Sequence, residues 1–323
     1  MPLASASGAL PPFSPAALVT EASVDSWLTV MLLVVGGLYL YGVRRLMLRG
    51  DHWPVLRTAF FVVGGLGIVA FATLSGLGAY DDTLFSAHMV QHMLLTMIAP
   101  IFLALGAPVT LALRTLPLRY RRWVLALLHS RFARVMTFPI VSFALFIASP
   151  YALYFSGWYE ATLDNRFLHE MLHGHFLLVG CLFFWPLIGL DPLPGRAPYP
   201  LRALMMFLSM PFHAVLGLTV MQSTTLLASD HYRSLHLPWV DPMVDQQIGG
   251  GLLWGSGDLV SLLMLGALIA QWMRASEREA AREDRRLDRL EAASGDPAGD
   301  AIAGEAAAVD APEPVEPGRG AAR

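Results

Sequence analysis

The chain has 323 residues, 55% of them hydrophobic and 15% charged, with a mean hydropathy of +0.52, which excludes an ordinary water-soluble domain and fits a polytopic membrane protein. The formal net charge of -3 averages a basic membrane part with an acidic C-terminal tail, and no nucleic-acid partner is expected. A single cysteine, Cys181, excludes an intramolecular disulfide and any Cys-x-x-Cys metal or redox motif.

Residues 1–26 are rich in Ala, Ser and Pro and lack Lys and Arg, so the basic start of a cleaved signal peptide is missing. A short flexible extracytoplasmic terminus is expected there. Seven apolar stretches then approach the roughly 20 residues that a bilayer-crossing helix needs: Trp27 to Val43, Leu56 to Leu77, Phe85 to Leu113, Pro139 to Phe155, Phe167 to Leu190, Ala203 to Leu227 and Ile248 to Met273. The expected fold is therefore all-α, a seven-helix membrane domain over residues 27–273. Pro100 and Pro108 interrupt the third stretch, where a kink or a break into a second short helix is expected. Glycines at 64–65 and 249–251 suit close helix packing.

Arginine placement orients the bundle. Arg44, Arg45, Arg49 and Arg57, then Arg114, Arg119, Arg121, Arg122, Arg131 and Arg134, then Arg196 and Arg202 follow the odd-numbered helices, whereas only Arg166 and Arg233 lie in the alternate loops. By the positive-inside rule the N-terminus is outside and the C-terminus cytoplasmic, as in a bacterial plasma-membrane protein. Residues 274–290 alternate Glu, Asp and Arg and read as a solvated helix. Residues 291–323 are too poor in apolar surface to order themselves and read as a disordered acidic tail.

The polar groups inside these apolar runs carry the chemistry. His88 and His92 open the third helix, and His169 and His173 open the fifth. At helical pitch the members of each pair lie about 40° apart around the axis and about 6 Å along it, which is chelate spacing. Both helices run from outside to inside, so both pairs fall within the first turns below the outer surface. A lone intramembrane histidine is usually explained by an interhelical hydrogen bond; two such pairs at one depth favour a metal or cofactor. Imidazole suits copper, zinc and iron, and nearby thioethers tilt the choice toward copper. Met89, Met93 and Met97 form a separate stripe better read as core, which leaves Met221 as the thioether of interest. His175 and His213 are alternates for the same ion or for a transfer route. Glu170, Asp245 and Asp258 are candidates to support the imidazoles by accepting their second N–H, although His213 with Asp258 reads equally well as a structural pair.

His169-Glu170-x-x-His173 also matches the zinc-peptidase pattern, in which the glutamate is a general base. Asp191, a natural third ligand, lies 18 residues beyond His173, about 27 Å of helix, on the opposite side of the membrane. A haem oxidoreductase with axial histidines from the third and fifth helices is a further alternative, as is a membrane diiron oxygenase, which the outward placement disfavours.

In combination, Phe85-Ser-Ala-His88-Met89-Val-Gln91-His92-Met93 with Leu105-Gly106-Ala107-Pro108, His169-Glu170-x-x-His173-x-His175 with Trp185-Pro186 and Asp191-Pro192, Pro211-Phe-His213, and Asp245-Gln246-Gln247-Ile-Gly249-Gly250 with Trp254 resemble the polytopic CtaG family of cytochrome c oxidase assembly factors. A single-span copper chaperone shares the name and is not what this chain resembles. The resemblance, from Trp27 to Met273, implies a seven-helix membrane protein that matures haem–copper oxidases by handling copper, and the reading adopted is a non-catalytic assembly factor. An oxidase subunit in the membrane is the implied partner, with a periplasmic copper donor as a second.

Overall fold

The structure, a computed structural model, describes residues 10–22, 25–194 and 197–294, with side chains as far as Leu290. Among these residues all regular structure is helical. Six helices are long and apolar enough to cross a bilayer: Ser26–Met47, Val55–Ala79, Phe85–Thr115, Arg166–Ile188, Tyr199–Met221 and Pro242–Leu290. A seventh crossing is present if Pro139–Tyr154 and Trp158–Asp164, which meet at a 70° bend, form one span. In chain order these are the first to seventh spans, with the bent pair fourth. The fourth was expected to be a plain helix. Its 16-residue first limb rises only about 24 Å, less than the hydrocarbon thickness of about 30 Å, and the chain turns at Ser156-Gly157 before the second limb.

Asp25 starts the first span by accepting from the backbone N–H of Trp27 at 2.8 Å and of Leu28 at 3.1 Å. Most of this helix presents apolar side chains outward, among them Val30, Leu33, Leu38 and Tyr41, as a lipid-facing surface should. Its buried Tyr39 stacks on Phe61 with ring centroids 4.0 Å apart and donates to the Gly106 carbonyl at 2.8 Å. The second span contains a π-helical stretch, Phe60–Leu66, in which Gly64 and Gly65 lie so close to Phe102 and Leu103 that neither position has room for a Cβ.

The third span bears out its two prolines. A π-helical segment, Leu94–Ile98, precedes Pro100, whose missing N–H cannot continue the regular ladder. The helix then stops at Gly106, passes through Ala107 with φ of 47°, and restarts at Pro108. The restarted helix is capped from a distance: Asp191 accepts from Thr110 N at 2.7 Å, Thr110 Oγ1 at 2.6 Å and Trp185 Nε1 at 2.9 Å. The fifth span packs on the third with Gly180 against the Thr96 carbonyl and Pro100. Gly217 of the sixth span and Gly250 of the seventh make a second close approach. Between these helices lies an aromatic-rich core that includes Phe85, Phe146, Phe176, Phe183 and Phe184, together with Met89, Met93 and Met97.

Part of the N-terminal stretch expected to be flexible is packed: Tyr80 donates to the Pro11 carbonyl at 2.7 Å and meets Phe13 edge-on. Among the described residues, those from Ala270 to Ser294 form a separate unit. Within it the exposed helix reaches Ser294 and carries an Arg286–Glu283 pair at 3.4 Å. Residues 1–9, 23–24, Arg196 and the acidic tail from 295 lie outside the described residues.

Candidate metal centre

Three elements converge at one end of the bundle: the turn that leads into the third span, the first turns of that span, and the first turns of the fifth. The turn carries Asp81, 5% exposed, and is fixed on both sides. Tyr80 is tied to Pro11 as above, and His231 Nε2 donates to the Asp82 carbonyl at 2.7 Å. Asn165 caps the fifth span through Phe167 N and Leu168 N, and His169 and His173, one turn apart, lie on the buried face of that helix.

His169 Nε2 donates to Asp81 Oδ2 at 3.1 Å, and His173 Nε2 lies 3.2 Å from the same oxygen. One ligand atom from each of Asp81, His169 and His173 lies within 4.8 Å of the others. A four-coordinate ion with bonds of about 2 Å holds its donors about 3.3 Å apart, so this trio needs little closure to take one. Burial by itself would raise the Asp81 carboxyl, but the hydrogen bonds and charge of His169 and His173 outweigh it and hold the group well below the usual carboxylate range. Asp81 is therefore an anion, ready to act as a ligand. The neighbouring Asp82 is raised, first by burial and then by the Asp81 charge. His169 Nδ1 and both ring nitrogens of His173 are buried without a well-formed hydrogen bond among the described residues, the kind of orphaned polar group that native structures keep for a reason. Glu170 Oε2 stands 3.7 Å from His173 Nδ1, too far for a hydrogen bond.

His88 and His92 sit beside this trio without joining it. Both reach the Tyr154 hydroxyl, His88 through Nε2 at 3.1 Å and His92 through Nδ1 at 2.9 Å. A hydroxyl has one proton, so Tyr154 donates to one imidazole and accepts from the other. His92 stacks flat on Phe176 at 3.9 Å. The His88 ring is centred 6.0 Å from that of His169, and its Nδ1 is buried and unpartnered.

The remaining sequence candidates lie elsewhere. His175 is exposed and bonds Ser149 Oγ at 3.0 Å. His213 donates through Nδ1 to the Ser209 carbonyl at 2.9 Å, one turn back on its own helix, and packs on Phe146. Met221 covers Gly250 and Gly251 at the end of the sixth span. Asp245 accepts from Ser86 N at 3.2 Å and also from the Ser86 hydroxyl, so it ties the seventh span to the third rather than orienting an imidazole. Asp258 is half-buried, with Oδ1 unpartnered among the described residues. Asp191 caps a helix restart, as described above. Sequence reasoning missed Asp81 and Tyr154; Asp81-Asp82, an acidic pair four residues before a histidine-bearing apolar run, was the available signal for the first.

Fold and site together define a polytopic helical membrane protein that buries a carboxylate among imidazoles at one end of its bundle. The chain belongs to the cytochrome c oxidase caa3 assembly factor family, whose model matches residues 37–275. It is 41% identical over 266 residues to uncharacterized proteins of Mycobacterium bovis and Mycobacterium tuberculosis, and 39% identical over 272 residues to one of Mycobacterium leprae. These matches take in 80% to 82% of this chain but only 40% to 41% of each relative, so the chain spans about two fifths of their length. No solved structure matches it.

Proposed function

We propose that this membrane protein binds copper at Asp81, His169 and His173 and passes it by ligand exchange to a cytochrome c oxidase during assembly. The observation that carries the reading is the convergence of Asp81 with two histidines one helical turn apart, in a buried position that leaves further imidazole nitrogens without partners. A carboxylate with two imidazoles suits a divalent transition ion. Three protein ligands leave coordination positions open, which a carrier needs in order to give its ion away. His88 is the nearest further imidazole. Because the arginine-rich linkers lie at the other end of the spans, the positive-inside rule turns the site toward the extracytoplasmic face of the plasma membrane, where a periplasmic donor would supply the ion.

The two enzyme readings fit less well. Asp81 does supply the third ligand that a zinc peptidase requires, but Glu170 stands at the far edge of His173 from Asp81, away from the place of an ion-bound water. A porphyrin between His88 and His169 would have to displace the rings of Tyr159 and Phe176 packed against His88.

Titrating the purified protein with Cu(II) and Zn(II) in the presence of a competing chelator tests the proposal. One Cu(II) per chain, lost in the His169→Ala/His173→Ala double variant together with oxidase copper content in cells, is the expected result. Equal uptake by wild type and double variant would sink it, and a Soret band in the purified protein would redirect it to haem.

A further inference from the structure

Beside the trio lies a cavity of about 210 Å³ between the first, second, third and fifth spans, whose mainly apolar wall carries Asp25, Thr73, Glu170 and His173 as its polar side chains. His173 is the partition. Its Nε2 faces Asp81 on the inner side at 3.2 Å, while its Nδ1 is 3.7 Å from Glu170 on the cavity side. The ring is nine-tenths buried, and Nδ1 has no hydrogen-bond partner among the described residues. Glu170 is half-exposed. At the other rim, Asp25 meets Arg166 at 3.6 Å, and the arginine side chain is 82% exposed. So open an ion pair is weakly held and readily parted.

We propose that this cavity is the access route for the metal cation: Glu170 and Asp25 draw a divalent cation in beside the His173 ring, and the Asp81, His169 and His173 trio receives it. Arg166 opposes the traffic by occupying Asp25. The inference rests on the trio being the metal site and assigns to Glu170 a task separate from holding the ion at rest. A carboxylate at the mouth of a low-dielectric cleft raises the local cation concentration and the association rate, an effect of roughly 10-fold or more at low ionic strength. Gly174 gives a steric handle, since it lies in the cavity wall and a Cβ built there meets no atom within 4 Å.

The test is stopped-flow mixing of Cu(II) with the full-length purified protein at low salt, read by quenching of tryptophan fluorescence, with end-point copper content measured on the same samples. Glu170→Gln should slow association about tenfold, and Gly174→Leu should slow it too, both with wild-type end-point stoichiometry. Arg166→Gln should speed it. Asp25→Asn, which keeps a good helix cap, should remove the Arg166 effect. If Glu170→Gln and Gly174→Leu fill at the wild-type rate while Asp81→Asn does not fill, the trio stands and the access route is wrong. Faster dissociation with unchanged association in Glu170→Gln overturns the route as well, because it makes Glu170 a support for the bound ion. If wild type fills no better than Asp81→Asn, the site itself fails, and the route with it.

Discussion

Asp81 and His169 stand 88 positions apart in the chain and meet at 3.1 Å. Asp81→Asn preserves the side chain's size and an oxygen but removes the anion that two imidazoles share. If the carboxylate is a ligand, Cu(II) affinity should fall at least as far as the 10–100-fold typical of losing a group that merely supports a ligand. Chelator-competition titration measures this directly. Affinity within a factor of about two of wild type would remove Asp81 from the site.

The same carboxyl should make the metal-free protein acid-sensitive. Its folded-state pKa is held below the unfolded value of about 3.9, because the histidine interactions outweigh burial. The group therefore contributes stability at pH values above that unfolded value, and the contribution is lost as pH falls through about 4 and below. Thermal unfolding in detergent with chelator present should show the midpoint dropping over this range, and the drop should be shallower in Asp81→Asn. Parallel curves for the two proteins would mean that Asp81 is not stabilised by its neighbours in solution.

The histidine pairs are legible in the sequence, and Asp81 is not. His88 with His92 and His169 with His173 announce themselves through spacing on one helix, a local property that the 3.6-residue repeat converts directly into a shared face. Asp81 belongs to a turn with no repeat to orient it, and its role depends on which helices are neighbours, information that a single chain does not contain. The same limit hid Tyr154, whose hydroxyl bonds both His88 and His92. Span positions were legible because apolar length reports them directly, and the third span's break followed from Pro100 and Pro108. The bend in the fourth span was not, since Pro139 to Phe155 is apolar apart from Ser142 and Ser149, its internal Pro150 lies inside the first limb, and only the weak Ser156-Gly157 signal marks the turn. Cooperation between distant positions also explains Asp191: the motif shows an acidic residue before proline, while the structure shows it capping a helix 81 positions earlier in the chain.

That remote cap separates structural from metal-related roles. Asp191→Ala leaves Thr110 N and Trp185 Nε1 without their acceptor, and lost caps or orphaned buried donors cost about 1–3 kcal/mol. The variant should unfold at a lower temperature or detergent denaturant concentration yet bind Cu(II) with unchanged stoichiometry. Loss of the bound ion from a still-folded Asp191→Ala protein would show that this remote cap also holds the third and fifth spans in the register the site needs.

Two glycines on the fifth span, six positions apart, should respond oppositely to the addition of one methyl group. Gly180 faces the third span, and a Cβ there would lie 2.6 Å from Pro100 Cγ and closer still to the Thr96 carbonyl. Backbone cannot step aside as a flexible side chain can, so Gly180→Ala must push the third and fifth spans apart, at a cost of about 1–3 kcal/mol for overpacking. Those are the spans whose histidines His88 and His169 stand 6.0 Å apart, so the displacement reaches the neighbourhood of the site. Gly174 has open space in place of a neighbour, and Gly174→Ala should stabilise the helix by about 0.5–1 kcal/mol, through the smaller conformational entropy of the unfolded chain. Unfolding measurements on both variants, with Cu(II) affinity taken alongside, decide the matter. A Gly180→Ala protein as stable as wild type would show that the third and fifth spans are not in the close contact that carries the two pairs of histidines to one level.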